Sequence, residues 1–108
     1  MAAVDLDKPF VELTSETIAA LPAQLGVYEV ADQSGDVTHI GYAGGREQFG
    51  IRTALERELA AGATQFRHEI THGYMTRWHE LLMAHMARTG VLPAANAGDA
   101  NRIGTLSP

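Results

Sequence analysis

The chain has 108 residues, of which 45% are hydrophobic and 19% charged, a composition typical of a folded globular protein and unlike that of a disordered chain. It carries 13 acidic against 8 basic residues, and the resulting net charge of −5 gives no overall field that would attract a polyanion such as DNA. Cysteine is absent, which excludes disulfides and thiolate metal sites.

The length predicts one domain over residues 1–108, with its core at about 21–96 and an extended tail at 97–108. No apolar run reaches the roughly 18 residues that a membrane-spanning helix requires. The N-terminal MAAVDLDKPF has acids where a secretory signal has basic residues followed by an apolar block. We therefore expect a cytoplasmic protein that has no membrane partner.

The first predicted element is a short helix at about residues 15–21. A capping box begins at Thr14 or Ser15, and Pro22 ends the apolar run that follows. Two strands come next, GVYEVAD and VTHIGYAG, because both segments are rich in β-branched and aromatic residues. The intervening QSGD has the composition of a turn, so the two strands are predicted to form a β-hairpin.

The second half of the sequence predicts two helices around a strand. FGIRTALERELAAG has apolar residues at helical spacing and a closing glycine, whereas TQFRHEITHGY alternates apolar and polar residues as a strand does. MTRWHELLMAHMARTG predicts a long helix with one apolar face, formed by Met75, Trp78, Leu82, His85 and Met86. VLPAANAG is expected to be a loop. The order of elements predicts an α/β fold of the α+β type, a small sandwich in which helices flank a three-stranded antiparallel sheet.

The predicted hairpin carries a family resemblance. LPAQLGVYEVADQSGDVTHIGYAG resembles the opening LPxxPGVYxFxDxxGxxxYIGKA of GIY-YIG nuclease domains, and the resemblance extends over about residues 21–96. The triplet GVY at 26–28 matches the first family triplet, and HIG at 39–41 matches the second, with His39 in place of a tyrosine. The polar residues that follow the triplets in the family fall on Arg52, Glu80 and Asn96.

The resemblance implies a divalent-metal-dependent endonuclease that hydrolyses phosphodiesters, with DNA favoured over RNA as the substrate. Glu80 would bind one ion, Mg²⁺ or Mn²⁺, for which a single protein carboxylate can suffice. Arg52 would bind the scissile phosphate, and Tyr28 and His39 would share the role of proton acceptor. Asn96 would orient the loop or the phosphate.

Four further residues are expected to border the substrate: Gly26, Gly41, Tyr42 and Arg46. The two glycines would let backbones approach closely where side chains would block a shallow groove.

Each of these assignments has a structural alternative. Tyr28 can be a packed strand aromatic, Arg52 can pair with Glu56 on the helix surface, and Glu80 can be a solvated charge. His39 can be a hydrogen-bonded structural histidine, and Asn96 a turn residue. For the domain as a whole, the alternative is a catalytically inactive binding or interaction module of the same fold, which the acidic composition favours. Such a module would form a homodimer or bind a protein partner.

A zinc site is not expected, although four histidines lie close together in the sequence. The two in HELLMAH are six residues apart, which puts them about 120° apart on a helix, whereas the zinc-protease pattern requires a spacing of four. The remaining pair implies no third ligand. The histidines concerned are His68, His72, His79 and His85.

Overall fold

The computed structural model describes residues 5–100, which form one four-stranded antiparallel sheet with helices on both faces. In chain order the elements are β1 (Val11–Glu12), α1 (Ser15–Ala19), β2 (Gly26–Ala31), β3 (Val37–Ala43), α2 (Ile51–Ala60), β4 (Gln65–Ile70), α3 (Tyr74–Thr89) and a 3₁₀-helix (Ala94–Asp99). The order of strands in the sheet is β1-β4-β2-β3.

The helix signals in the sequence are confirmed. Thr14 caps α1, because its hydroxyl accepts from the Thr17 backbone N–H while the Thr17 hydroxyl accepts from the Thr14 N–H. Gly62 follows α2 with φ of +103°, and Gly90 ends α3 with φ of +83°. Glycine adopts such left-handed conformations without the steric cost that a Cβ adds, so both helices end where the sequence predicts.

Two features of the predicted architecture are corrected. The sheet has a fourth strand, β1, which pairs with β4 through Val11 and Phe66. Its two residues are both exposed and too few to show an alternating pattern, which is why the prediction of three strands missed it. The predicted tail at 97–108 is wrong for residues 97–99, since these belong to the 3₁₀-helix; residues 101–108 lie outside the described part of the chain.

Strand alternation divides the core into two layers. Tyr28 and Val30 of β2 point to one face of the sheet, the α2 face, where they pack with Leu55 of α2. Val27 points to the other, the α3 face, and packs with Trp78 of α3. β3 is an edge strand, so the two faces meet around it. Within residues 5–100, no helix has the length and apolar character needed to cross a membrane.

Candidate active site

A cleft of about 590 Å³ opens around the edge strand β3. We call it the β3 cleft. The α2 face contributes Tyr28 and His39, the α3 face contributes an aromatic cluster, and the loop after β3 contributes charged residues. The side chains that line it are those of Tyr28, His39, Ile40, Tyr42, Arg46, Glu47, Arg57, Tyr74, Met75, Trp78 and Asp99.

Glu58 of α2 connects the two hairpin residues at the back of this cleft. Its Oε2 accepts a hydrogen bond of 2.8 Å from the Tyr28 hydroxyl and lies 2.5 Å from Nδ1 of His39. The register explains the convergence, because Tyr28 pairs with Gly41 and Val30 with His39, so the tyrosine and the histidine point to the same face. The other ring nitrogen of His39, Nε2, has no hydrogen-bond partner among residues 5–100.

The contact between Glu58 and Tyr28 shifts the pKa of both groups. Burial would raise the pKa of Glu58, but the hydrogen bonds from His39 and Tyr28 outweigh burial and hold that pKa below its ordinary value. Burial and the neighbouring Glu58 carboxylate together raise the pKa of the Tyr28 phenol far above its usual range. Glu58 is therefore ionised and Tyr28 is a hydrogen-bond donor at neutral pH.

The arginines of the cleft differ in what they contact. Arg57 forms two hydrogen bonds with Glu47, of 2.6 and 2.8 Å, which lower the pKa of Glu47 and raise that of Arg57. Arg46 is exposed and forms no ion pair with any residue that the structure describes. Arg46 is therefore the cleft cation that is available to an anionic group.

Aromatic rings form the wall on the α3 side. Tyr42 and Tyr74 stack with 5.6 Å between ring centroids and 18° between planes, and Tyr42 meets Trp78 edge-on at 5.2 Å. The indole N–H of Trp78 donates to the backbone carbonyl of Ile40 at 2.8 Å, which fixes the cluster to β3. Tyr42 keeps 37% of its surface exposed.

The glycines of the two triplets each lie in close contact with another part of the protein. A Cβ on Gly41 would lie 2.4 Å from the Tyr28 ring, and one on Gly26 would lie 2.3 Å from the backbone oxygen of Glu69 on β4. Real Cβ atoms do not approach other atoms so closely, so each position requires glycine because of an internal contact. Gly26 does not line the β3 cleft, whereas Gly41 does.

Asn96 organises the edge of β3. Asn96 belongs to the 3₁₀-helix, and its side chain is fully buried. Its amide binds both backbone groups of Ile40: Oδ1 accepts from the N–H at 2.8 Å and Nδ2 donates to the carbonyl at 2.9 Å. Nδ2 also donates to Asp99, which lines the cleft. Asn96 therefore lies behind the second triplet and holds it in place, without reaching the cleft itself.

Arg52 and Glu80 lie away from the other predicted site residues. Arg52 lines a separate pocket between α1 and α2, beside Ile18 and Glu56, and its Nε is buried without a hydrogen-bond partner in the described chain. The alternative ion pair between Arg52 and Glu56 is not formed within residues 5–100. Glu80 is on α3, across the sheet from Tyr28 and His39, and pairs with Arg77 at 3.2 Å.

The surroundings of Glu80 do not suit a Mg²⁺ or Mn²⁺ ion. Its Oε1 accepts from the guanidinium of Arg77, which also binds Glu69, so a positive charge already occupies the position next to the carboxylate. Residues 5–100 contain no cluster of three or more histidine, aspartate or glutamate side chains arranged to hold a metal ion. We therefore assign no chemical step to an ion at Glu80.

Sequence reasoning missed Glu58, although the sequence contains a signal for it. Glu58 follows Ile51 by seven residues and Leu55 by three, so it lies on the apolar stripe by which α2 packs on the sheet. A carboxylate on such a stripe needs hydrogen-bond partners, and the strand residues under the helix are the nearest source. The α2 arginine that reaches the cleft is likewise Arg57 and not Arg52.

Comparison with protein families gives one match. A family model described as a domain of unknown function, DUF7508, matches residues 4–88. The chain belongs to this family. The DUF7508 match takes in all four strands and nearly all of α3, and therefore includes Tyr28, His39 and Glu58, while the 3₁₀-helix with Asn96 lies beyond it. Neither the curated proteins nor the solved structures gave a match. The resemblance of this DUF7508 chain to GIY-YIG nucleases accordingly stays a prediction that rests on the two triplets.

Proposed function

We propose that the β3 cleft hydrolyses a phosphodiester and that His39 is its general base. The observation that carries the proposal is the 2.5 Å contact between His39 Nδ1 and Glu58 Oε2 in a cleft where the opposite ring nitrogen has no partner among residues 5–100. A carboxylate that binds one nitrogen of a histidine fixes its tautomer and stabilises the imidazolium that forms when the other nitrogen takes a proton. The pair is therefore suited to proton transfer near neutral pH.

In the proposed reaction, His39 Nε2 accepts a proton from the attacking water, and the water oxygen bonds to phosphorus as the bond from phosphorus to the ester oxygen breaks. The leaving oxygen takes a proton from solvent water, and His39 afterwards returns its proton to solvent. Glu58 keeps the Nδ1 proton in place throughout. Tyr28 donates to the same Glu58 oxygen and so positions the carboxylate. This gives Tyr28 a positioning role in place of the expected role as proton acceptor, because its raised pKa keeps the phenol protonated.

The negative charge that develops on the phosphate would be stabilised by arginine. Arg46, which has no ion-pair partner in the described part of the chain, can bind a phosphate oxygen, and the fork of its guanidinium matches two such oxygens. Arg57 adds a second positive charge to the same wall, although Glu47 partly neutralises it. Nucleic acid, with DNA favoured over RNA, remains the expected source of the phosphodiester, and the cysteine-free composition suits a reducing, cytoplasmic location.

The second candidate is a binding module without turnover. It is favoured by the charge of the cleft, where the three carboxylates of Glu47, Glu58 and Asp99 outnumber the two arginines. A cleft without an excess of positive charge gives less stabilisation to a transition state that gains negative charge.

The two candidates are separated by hydrolysis of bis(p-nitrophenyl) phosphate and of labelled single-stranded and duplex oligonucleotides. We expect the wild-type protein to hydrolyse the ester, with and without added Mg²⁺ or Mn²⁺ as parallel arms. His39→Gln should lower kcat by about 10²- to 10⁴-fold, the usual contribution of a general base. Glu58→Gln should lower kcat and change the pH profile, because the glutamine leaves the imidazolium without its counter-charge.

Two matched variants serve as controls. Glu80→Gln changes a carboxylate of α3 outside the cleft, and His72→Gln changes an exposed histidine; both should leave kcat unchanged. Loss of activity in Glu80→Gln with retention in His39→Gln would reject this proposal in favour of the constellation implied by the GIY-YIG resemblance. Absence of hydrolysis of every substrate by the wild-type protein would favour the binding module.

A further inference from the structure

We infer that the β3 cleft recognises a single nucleotide unit, whose unpaired base stacks on the Tyr42 and Tyr74 pair and whose phosphate binds Arg46. The inference rests on the proposed function for placing the reacting phosphate beside His39, and it adds the class of ligand that the cleft selects. It is carried by three features of the cleft: its aromatic wall, its charge and its volume.

The aromatic wall offers a stacking surface. Tyr42 and Tyr74 lie nearly parallel, and Trp78 supports Tyr42 from the side, so the rings are held in place before a ligand arrives. More than a third of the surface of Tyr42 remains accessible, so a ligand in the cleft can reach this side chain. A nucleobase is a flat ring system that stacks on tyrosine regardless of which base it is.

The charge of the cleft argues against a long polyanion. Its described residues include two arginines, of which Arg57 is paired, and three carboxylates in or directly behind the wall. Proteins that follow a nucleic-acid backbone neutralise several phosphates along a basic groove, and this cleft has one free cation for the purpose. Arg46 can therefore pair with one phosphate, and no second unpaired arginine lines the described cleft for another.

The volume agrees with a ligand of this size. At about 590 Å³ the cleft falls within the range of pockets that enclose small molecules and cofactors. A base within a duplex has both faces covered by its neighbours, so it cannot stack on Tyr42 unless it leaves the helix. The ligand that fits the cleft is thus an unpaired base joined to one phosphate, as in a free nucleotide or at an unpaired end of a nucleic acid.

The single tryptophan of the chain makes this inference directly testable, since Trp78 lies in the cleft wall. Its fluorescence, excited where nucleotides do not absorb, should change saturably with adenosine monophosphate, cytidine monophosphate and adenosine. Ribose phosphate, which lacks a base, should bind at least about fivefold more weakly than adenosine monophosphate. Absence of saturable binding by both monophosphates would overturn the inference, as would equal binding of ribose phosphate.

Variants separate the contributions of base and phosphate. Tyr42→Leu should weaken the binding of adenosine monophosphate by at least about fivefold. Phe49→Leu changes an exposed aromatic residue outside the cleft and should leave this binding unchanged. Arg46→Gln should weaken the binding of adenosine monophosphate and leave the binding of adenosine unchanged. If Tyr42→Leu bound as tightly as the wild type, the stacking role would be refuted.

The source of the nucleotide and the link to catalysis are tested in the same assay. A short single-stranded oligonucleotide should compete with adenosine monophosphate, and a blunt duplex of the same sequence should not; tighter binding of the duplex would contradict the inference. All titrations are repeated with His39→Gln, so that binding is measured without turnover. Hydrolysis of bis(p-nitrophenyl) phosphate without nucleotide binding would refute this inference alone, and nucleotide binding without hydrolysis would refute the proposed reaction alone.

Discussion

The ring of Tyr28 lies against the backbone of Gly41, its partner on the neighbouring strand, so closely that no Cβ can be placed between them. The missing side chain leaves room for the Tyr28 ring beside β3, in the position from which its hydroxyl binds Glu58. The tyrosine of the first triplet and the glycine of the second are therefore one structural unit. Together they allow the hydrogen bond between Tyr28 and Glu58 at the back of the β3 cleft.

Replacement of Gly41 by alanine should disturb this unit. Its Cβ would lie 2.4 Å from the Tyr28 ring, so the ring or the strand must move, and we expect the free energy of unfolding to fall by about 1–3 kcal/mol in urea titrations. Gly45→Ala is the matched control, because a Cβ there meets nothing within 4 Å. Equal stability of the two variants would show that the contact does not constrain the strand.

Tyr28→Phe should change the response of the protein to alkaline pH. The folded pKa of Tyr28 is raised, so its contribution to stability is complete below about pH 10, where the unfolded tyrosine is protonated, and is lost as the pH rises further. At pH 8 we expect the variant to be about 1.5–3 kcal/mol less stable, the usual value of a hydrogen bond to a charged group. Above about pH 10 the gap to the wild type should narrow. The hydroxyl of Tyr42 forms no hydrogen bond within residues 5–100, so the difference in stability between Tyr42→Phe and the wild type should not narrow in this way.

Asn96→Ala should destabilise the edge of β3. The substitution leaves the Ile40 N–H buried without a partner, although the Ile40 carbonyl keeps its bond from Trp78. We expect a loss of about 1–3 kcal/mol, and faster hydrogen exchange at the Ile40 amide in NMR spectra. Gln48→Ala, at an exposed amide, provides the comparison. An unchanged exchange rate at Ile40 would contradict the bridging role of Asn96.

His85 should make the protein less stable in mild acid. Burial lowers its pKa, the neighbouring Arg88 lowers it further, and the carboxylates of Glu29 and Asp5 oppose both without reversing the shift. The unfolded histidine therefore takes up a proton first, so stability is complete above about pH 6.5 and falls, by at most about 1.4 kcal/mol per pH unit, as the pH drops through the folded pKa. His85→Gln should reduce the loss measured between pH 7 and pH 5 in urea titrations. His72→Gln, at an exposed position, should leave the loss unchanged.

Local patterns in the sequence were sufficient for most of the fold. The capping box at Thr14, the glycines that end α2 and α3, the β-branched and aromatic residues of β2 and β3, and the alternation in β4 are all local features of the sequence. β1 could not be predicted in this way, because two residues become a strand only through pairing with β4. The 3₁₀-helix likewise depends on Asn96 reaching a residue that lies 56 positions earlier.

The predicted residues that reach the β3 cleft lie in the hairpin and in the loop that follows it: Tyr28, His39, Gly41, Tyr42 and Arg46. The register of the hairpin places Tyr28 and His39 on one face of the sheet, so their proximity follows from local structure. Which helix residues reach them depends on the orientation of α2 about its own axis. In the observed orientation Glu58 and Arg57 face the site and Arg52 does not. Glu80 was assigned by order in the chain, which cannot tell one face of a sheet from the other.

The docking of Asn96 on Ile40 also bears on how this molecule meets copies of itself. An open sheet edge presents free N–H and C=O groups on which a strand of another molecule can assemble, the first step toward fibres and swapped dimers. At the middle of β3 the two backbone groups that face outward already belong to a side chain of the same chain. A second copy can extend the sheet there only after residues 94–99 have been displaced, so the 3₁₀-helix blocks the addition of a strand at this point of the β3 edge.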